Sequence, residues 1–130
     1  MKKIVHIVGT GTIGEPLIGL FTDFGRHLGI DEVTFHKRTP MMTERAKVNH
    51  LLERGARIAV DSDKIADFEA LGHQVSYEAA AALERATVVI DCTPAGNDPD
   101  TFWDTVVAGR AVAAPIEACS TEDHPITYAC

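Results

Sequence analysis

The feature that most constrains this chain is a change of hydrophobic period at a glycine cluster close to its N-terminus. Ile4-Val5-His6-Ile7-Val8 is a nearly continuous apolar, β-branched run, the pattern of a strand buried on both faces of a parallel sheet. It runs straight into Gly9-Thr10-Gly11-Thr12-Ile13-Gly14. From there Ile13, Leu17, Leu20 and Phe24 recur at steps of four, three and four, the spacing of a helical stripe. These residues predict a strand, a tight turn, and a helix that buries Ile13, Leu17, Leu20 and Phe24 and ends near Gly25 or Gly29. Pro16 falls in the first turn, where a missing N–H is tolerated.

The alternation then repeats. Glu32–His36 reads as a second strand, and 43–53 as a helix with Val48, Leu51 and Leu52 inward and Gly55 as its stop. Arg57–Val60 reads as a third strand, followed by a helix that Ser62 caps and that carries Ile65, Phe68 and Leu71 up to Gly72. A short strand over 74–77, an alanine-rich helix over 79–86 and a β-branched strand over 87–91 come next. A helix over 98–108 and a strand over 111–114 complete the series. Strand–helix alternation at ~20-residue intervals implies right-handed βαβ crossovers. The expected fold is therefore α/β: a Rossmann-type doubly wound, mainly parallel sheet with helices on both faces, forming one domain over 1–130.

Charge and cysteine usage narrow the partners. Twelve Lys and Arg against 19 Asp and Glu leave a formal net charge of −7, the wrong sign for neutralising phosphates along a duplex, so nucleic acid is excluded as a partner. No apolar run approaches the ~18–20 residues of a membrane span, and the N-terminus lacks a signal-peptide pattern, so a cytoplasmic protein is expected. Cys92, Cys119 and Cys130 form no CxxC pair and are expected to be reduced. A homo-oligomer is left open by the sequence.

Ligands of open parallel sheets sit beyond the C-terminal strand ends. The G-x-G-x-x-G there gives each glycine a job: Gly9 takes the tight turn, Gly11 has no Cβ to block a pyrophosphate, and Gly14 lets helix and strand pack closely. Free N–H groups around Thr12, Ile13 and Gly14, with the positive end of the helix dipole, favour phosphate. A dinucleotide loop usually finds a carboxylate at the end of its second strand to bind the adenosine ribose. This chain has His36-Lys37-Arg38-Thr39 there, while Asp31 and Glu32 lie at the strand's opposite end. Lys37 and Arg38 suit a 2′-phosphate, so NADP is the preferred cofactor, with NAD the second choice.

Three segments taken together, Val8 to Gly14, then His36-Lys37-Arg38-Thr39-Pro40, then Val89-Ile90-Asp91-Cys92-Thr93-Pro94-Ala95-Gly96, resemble the N-terminal NAD(P)-binding domain of archaeal-type glyceraldehyde-3-phosphate dehydrogenase. The resemblance implies that Gly9, Gly11, Thr12, Ile13 and Gly14 hold the pyrophosphate, Lys37 and Arg38 the adenosine-ribose phosphate, and Thr93 and Pro94 the ribose near the nicotinamide. It also implies aldehyde oxidation, or acyl-phosphate reduction, in the full enzyme, where a cysteine thiolate attacks the aldehyde. The family's order Thr-Arg is reversed in Arg38-Thr39, and its Cys-Asn-Thr nucleophile segment has no counterpart here; Ile126 to Cys130 resembles the strand shortly before it. The expectation is thus a cofactor domain that meets a small-molecule substrate only with a catalytic domain, and no catalytic residue is assigned. Semialdehyde dehydrogenase, homoserine dehydrogenase and dihydrodipicolinate reductase begin with similar glycine loops, and a non-catalytic NAD(P)-sensing module is the alternative of another class.

The remaining chemistry reads as structural. Cys92 ends a buried strand with no base or cation beside it in sequence, which fits an inert thiol. Cys119 and His124 permit a pair without specifying one. Asp98, Asp100 and Asp104 fit the start of a helix as cap and dipole partners. The six histidines show no ligand spacing, so no metal is expected.

Overall fold

The computed structural model describes residues 2–92, with the backbone of 111–113 and 128–129. Its first strand, β1 (Ile4–Val8), is buried at all five residues, as the continuous apolar run requires. Helix α1 (Gly14–Leu28) follows and ends on Gly29 in the left-handed conformation, φ +72°. Then come β2 (Glu32–His36), α2 (Arg45–Glu53), β3 (Arg57–Val60), α3 (Ile65–Ala70), β4 (Tyr77–Glu78), α4 (Ala79–Arg85), β5 (Val88–Asp91), β6 (Ala111–Ala113) and β7 (Tyr128–Ala129). All pair in parallel in one seven-stranded sheet of order β4-β3-β2-β1-β5-β6-β7. The α/β class and the parallel sheet read from the sequence are thus present. No helix among the described residues is long and apolar enough to cross a membrane.

The chain works outward from β1 in one direction through β2, β3 and β4, then returns to pair β5 on the other side of β1, with Val5 opposite Val88 and Val8 opposite Asp91. The strand order therefore reverses between β1 and β5, and in open parallel sheets ligands sit beyond the C-terminal strand ends at such a reversal. The core beneath is made by Ile7, Phe35 and Ile58 from the strands and Ile18, Val48, Leu51 and Phe68 from the helices, all fully buried. Burial of each such side chain contributes about 1.5–3 kcal/mol.

His6 is the polar exception in this central strand. It stands opposite Thr34 in the parallel register, and its Nδ1 lies 2.7 Å from the Thr34 hydroxyl with both residues buried. Burial first, and the neighbouring His36 second, push its pKa down to about 3, so the ring is neutral.

Four local expectations are corrected. The helix after the glycines does not bury Ile13, Leu20 and Phe24, which are 52%, 49% and 50% exposed; it turns Gly14, Ile18 and Gly25 inward, with Leu17 and Phe21 partly buried beside them. The glycines let the helix axis approach the sheet, and that closeness selects the stripe. The helix expected from 43 begins as a 3₁₀ turn, Met42–Glu44, before α2, and the one expected from Ser62 begins as a 3₁₀ turn, Ser62–Lys64, before α3. Asp61, not Ser62, precedes that turn, and its carboxylate is used by His36 instead of capping. The fourth strand lies at Tyr77–Glu78 instead of 74–77, because the chain pairs with β3 only from Tyr77, opposite Ala59. The helix expected over 98–108 lies outside the described residues.

At the N-terminal end of the sheet, Asp31 and Glu32 are structural. Asp31 accepts from the Lys3 backbone N–H at 2.7 Å, and Glu32 accepts from the Tyr77 hydroxyl at 2.8 Å and Arg85 Nη2 at 2.7 Å. These bonds join the start of β2 to β4 and α4.

Candidate functional site

The glycine loop sits at the C-terminal end of β1, held by strand-like bonds on both sides. The Gly9 N–H donates to the His36 carbonyl at 3.2 Å, and the Cys92 N–H donates to the Val8 carbonyl at 2.8 Å. Gly9 has φ +102°, a conformation that L side chains rarely adopt, and it turns the chain out of the strand. A Cβ on Gly14 would overlap the Gly9 carbonyl and touch the Cys92 Cβ at 3.4 Å, so the first turn of α1 lies directly against the loop and the end of β5. A Cβ on Gly11 would meet nothing within 4 Å among the described residues. The three glycines are thus used differently: for a turn, for open space, and for close packing. Thr12 and Ile13 are exposed, and the N–H groups of Gly11, Thr12 and Ile13 donate to no backbone carbonyl among the described residues. Glu15 and Leu17 donate back to the Gly11 and Ile13 carbonyls at 3.2 Å each, which begins the helical ladder and leaves those three donors outside it.

The end of β2 brings its basic pair to different places. The Lys37 N–H donates to the Ala59 carbonyl at 3.3 Å, continuing the ladder to β3. That fixes the side chain beside the loop: Lys37 is buried, its Nζ donates to the Thr10 hydroxyl at 3.3 Å, and it forms a close ion pair with Glu44. Arg38 is exposed, with no hydrogen bond or ion pair among the described residues. His36 Nε2 lies 3.0 Å from Asp61 Oδ1, which ties the ends of β2 and β3 together. Of the sequence-predicted residues, Gly9, Gly11, Thr12, Ile13, Gly14 and Lys37 are gathered at one place; Thr93 and Pro94 lie outside the described residues.

Two residues of this cluster were not anticipated. Lys47, in the first turn of α2, donates from Nζ to the Thr10 carbonyl at 2.8 Å and stands 3.6 Å from Glu44 Oε1. Glu44 closes the preceding 3₁₀ turn, so one carboxylate is shared by two ammonium groups at the second residue of the loop. The hydrogen bond from Lys37, then the charges of Lys37 and Lys47, hold the Glu44 carboxyl below the usual carboxylate range. The sequence signal for Lys47 is its i,i+3 spacing from Glu44, which many solvent-facing pairs share; only the return of α2 toward the loop makes it specific.

Beyond β5, Cys92 is buried, and burial with the adjacent Asp91 carboxylate pushes its thiol up to about 11. It packs in the core cluster, and the raised pKa favours the thiol over the thiolate at neutral pH. Cys119, His124 and Cys130 lie outside the described residues. Among the described residues no group of three or more His, Cys, Asp or Glu side chains could hold a metal ion.

Chemically, the site combines backbone N–H groups without a backbone acceptor, a buried cation and a second, half-buried cation around an open glycine. In charge and hydrogen-bonding capacity such an arrangement is complementary to an anion. Compared with known proteins, the chain matches no protein-family model and no curated protein in sequence.

Proposed function

We propose that this chain is the Rossmann-type, doubly wound NAD(P)-binding domain of an oxidoreductase resembling archaeal-type glyceraldehyde-3-phosphate dehydrogenase, and that it takes NADP in preference to NAD. The observation that carries this reading is the division of labour among the three glycines. Gly14 is needed for packing and Gly9 for its backbone angle, but nothing among the described residues calls for a glycine at Gly11, whose missing Cβ leaves open space before the loop. A bound pyrophosphate accounts for it. The cofactor would lie with its pyrophosphate at the N–H groups of Gly11, Thr12 and Ile13. A 2′-phosphate would lie toward Lys37, and bound NADP supplies the hydride acceptor for an aldehyde substrate.

The test is Gly11→Val. Because a Cβ there meets no described atom within 4 Å, the variant is expected to fold, with its branched side chain in the space before the loop. NADP(H) titration is expected to show at least roughly tenfold weaker binding, about 1.4 kcal/mol. Unchanged affinity in the folded variant rejects the reading.

A further inference from the structure

Resting on the proposed nucleotide site, we infer that Glu44 is a built-in competitor for the 2′-phosphate and that Lys47 is a second cation of the same subsite. Lys37 is 6% exposed, and its ammonium is already satisfied by the Glu44 carboxylate and the Thr10 hydroxyl. An incoming phosphate dianion cannot share a buried lysine with a carboxylate without like-charge repulsion. Glu44 also bridges to Lys47, so the carboxylate spans two ammonium groups as one phosphate could. The carboxylate is able to leave: its side chain is 31% exposed, and it closes a single 3₁₀ turn beginning with Met42, which is 67% exposed.

When Glu44 swings out, Lys37 keeps its Thr10 bond and Lys47 its bond to the Thr10 carbonyl, so both cations stay at the glycine loop. The carboxylate thus keeps Lys37 paired in the absence of nucleotide. It also sets the selectivity. A dianionic 2′-phosphate offers both lysines more charge than Glu44 does and can displace it, whereas the ribose hydroxyl of NAD leaves the carboxylate in place. Lys37 and Lys47 face the subsite as cations and Glu44 is the carboxylate between them; Arg38 is exposed to solvent, and the nearby Asp61 carboxylate is held by His36.

The experiment compares the full chain with Glu44→Gln and Lys47→Met by calorimetric titration of NADP and NAD, and by thermal unfolding with inorganic phosphate. Glu44→Gln is expected to tighten NADP about tenfold while NAD moves less than about twofold. Lys47→Met is expected to weaken NADP about fivefold, again with NAD nearly unmoved. Phosphate should raise the melting temperature of Glu44→Gln more than that of the unaltered chain. If Glu44→Gln weakens NADP or leaves it unchanged, the carboxylate aligns Lys37 instead of competing with phosphate, and the inference is overturned while the nucleotide site stands. If neither dinucleotide binds any of the three proteins, the nucleotide reading fails. The phosphate response then decides the inference alone: a larger rise in Glu44→Gln keeps the competing carboxylate, and an equal or smaller rise removes it.

Discussion

Gly14 and Gly11 carry the same side chain for opposite reasons, and substitution separates them. A methyl group at Gly14 meets a backbone carbonyl that cannot rotate away, so Gly14→Ala should destabilise the fold by about 1–3 kcal/mol, the usual cost of overpacking. Gly11→Ala meets nothing within 4 Å and should leave the urea midpoint unchanged. His6 makes a second residue-scale prediction, whose sign follows from its depressed pKa. The unfolded chain takes up a proton near the ordinary value of 6.5, whereas the folded chain resists until about 3. Stability contributed by neutral His6 is therefore present above 6.5 and is lost as pH falls, by up to about 1.4 kcal/mol per pH unit. Urea unfolding between about pH 7.5 and pH 5 should show this decline. His6→Asn, which can still bond the Thr34 hydroxyl but cannot titrate, should flatten it. His73, whose pKa is also lowered by burial, leaves a residual slope. An equally steep decline in the Asn variant would assign the pH dependence elsewhere.

Among the elements, the glycine turn and the strands other than β4 are legible because each rests on a local signal: a β-branched run, a glycine that must take a left-handed angle, a helix stopped at Gly29. The inward face of α1 was not, because the helix carries apolar residues on two stripes. Leu17 belongs to both; Leu20 and Phe24 form one, Ile18 and Phe21 the other. Spacing alone cannot choose between them. The choice is made by small residues, since only the face with Gly14 and Gly25 can approach the sheet closely. The end of β2 was half legible for a related reason. Lys37 and Arg38 are adjacent in sequence, but alternation along an extended strand sends the first into the loop and the second to solvent. Their contributions to cofactor choice should differ accordingly. NADP is expected to bind roughly tenfold tighter than NAD at low salt, and Lys37→Met should abolish most of that margin at any ionic strength. Arg38→Gln should remove a smaller share that disappears as salt screens an exposed charge. Calorimetry of both cofactors at two salt concentrations checks the pair; equal affinities in the unaltered chain would return Lys37 to a purely structural role beside Glu44.

For the whole molecule, the decisive property is that separate strand ends converge at one loop. β1 supplies Gly9, β2 supplies Lys37 and β5 supplies Cys92, each fixed by a backbone bond to its neighbour. The alternation of strands and helices made that convergence readable. The Glu44 and Lys47 contacts were not readable, because they depend on how far α2 returns toward a loop more than thirty residues earlier in the chain. A ligand at this convergence binds only the folded chain and so must stabilise the whole molecule by mass action. At about a hundred times its dissociation constant, NADP should add about 2.7 kcal/mol, which for a domain of this size is a rise of about 10 °C in melting temperature. NAD at the same concentration should give a smaller rise. Gly11→Val should melt where the unaltered chain melts without ligand, yet lose most of the NADP-dependent rise, because its side chain enters the space proposed for the ligand, where a Cβ meets no described atom within 4 Å. Gly14→Ala should behave in the reverse way, melting lower from the outset. A rise of equal size in Gly11→Val and in the unaltered chain would mean that the stabilising ligand sits somewhere other than the glycine loop.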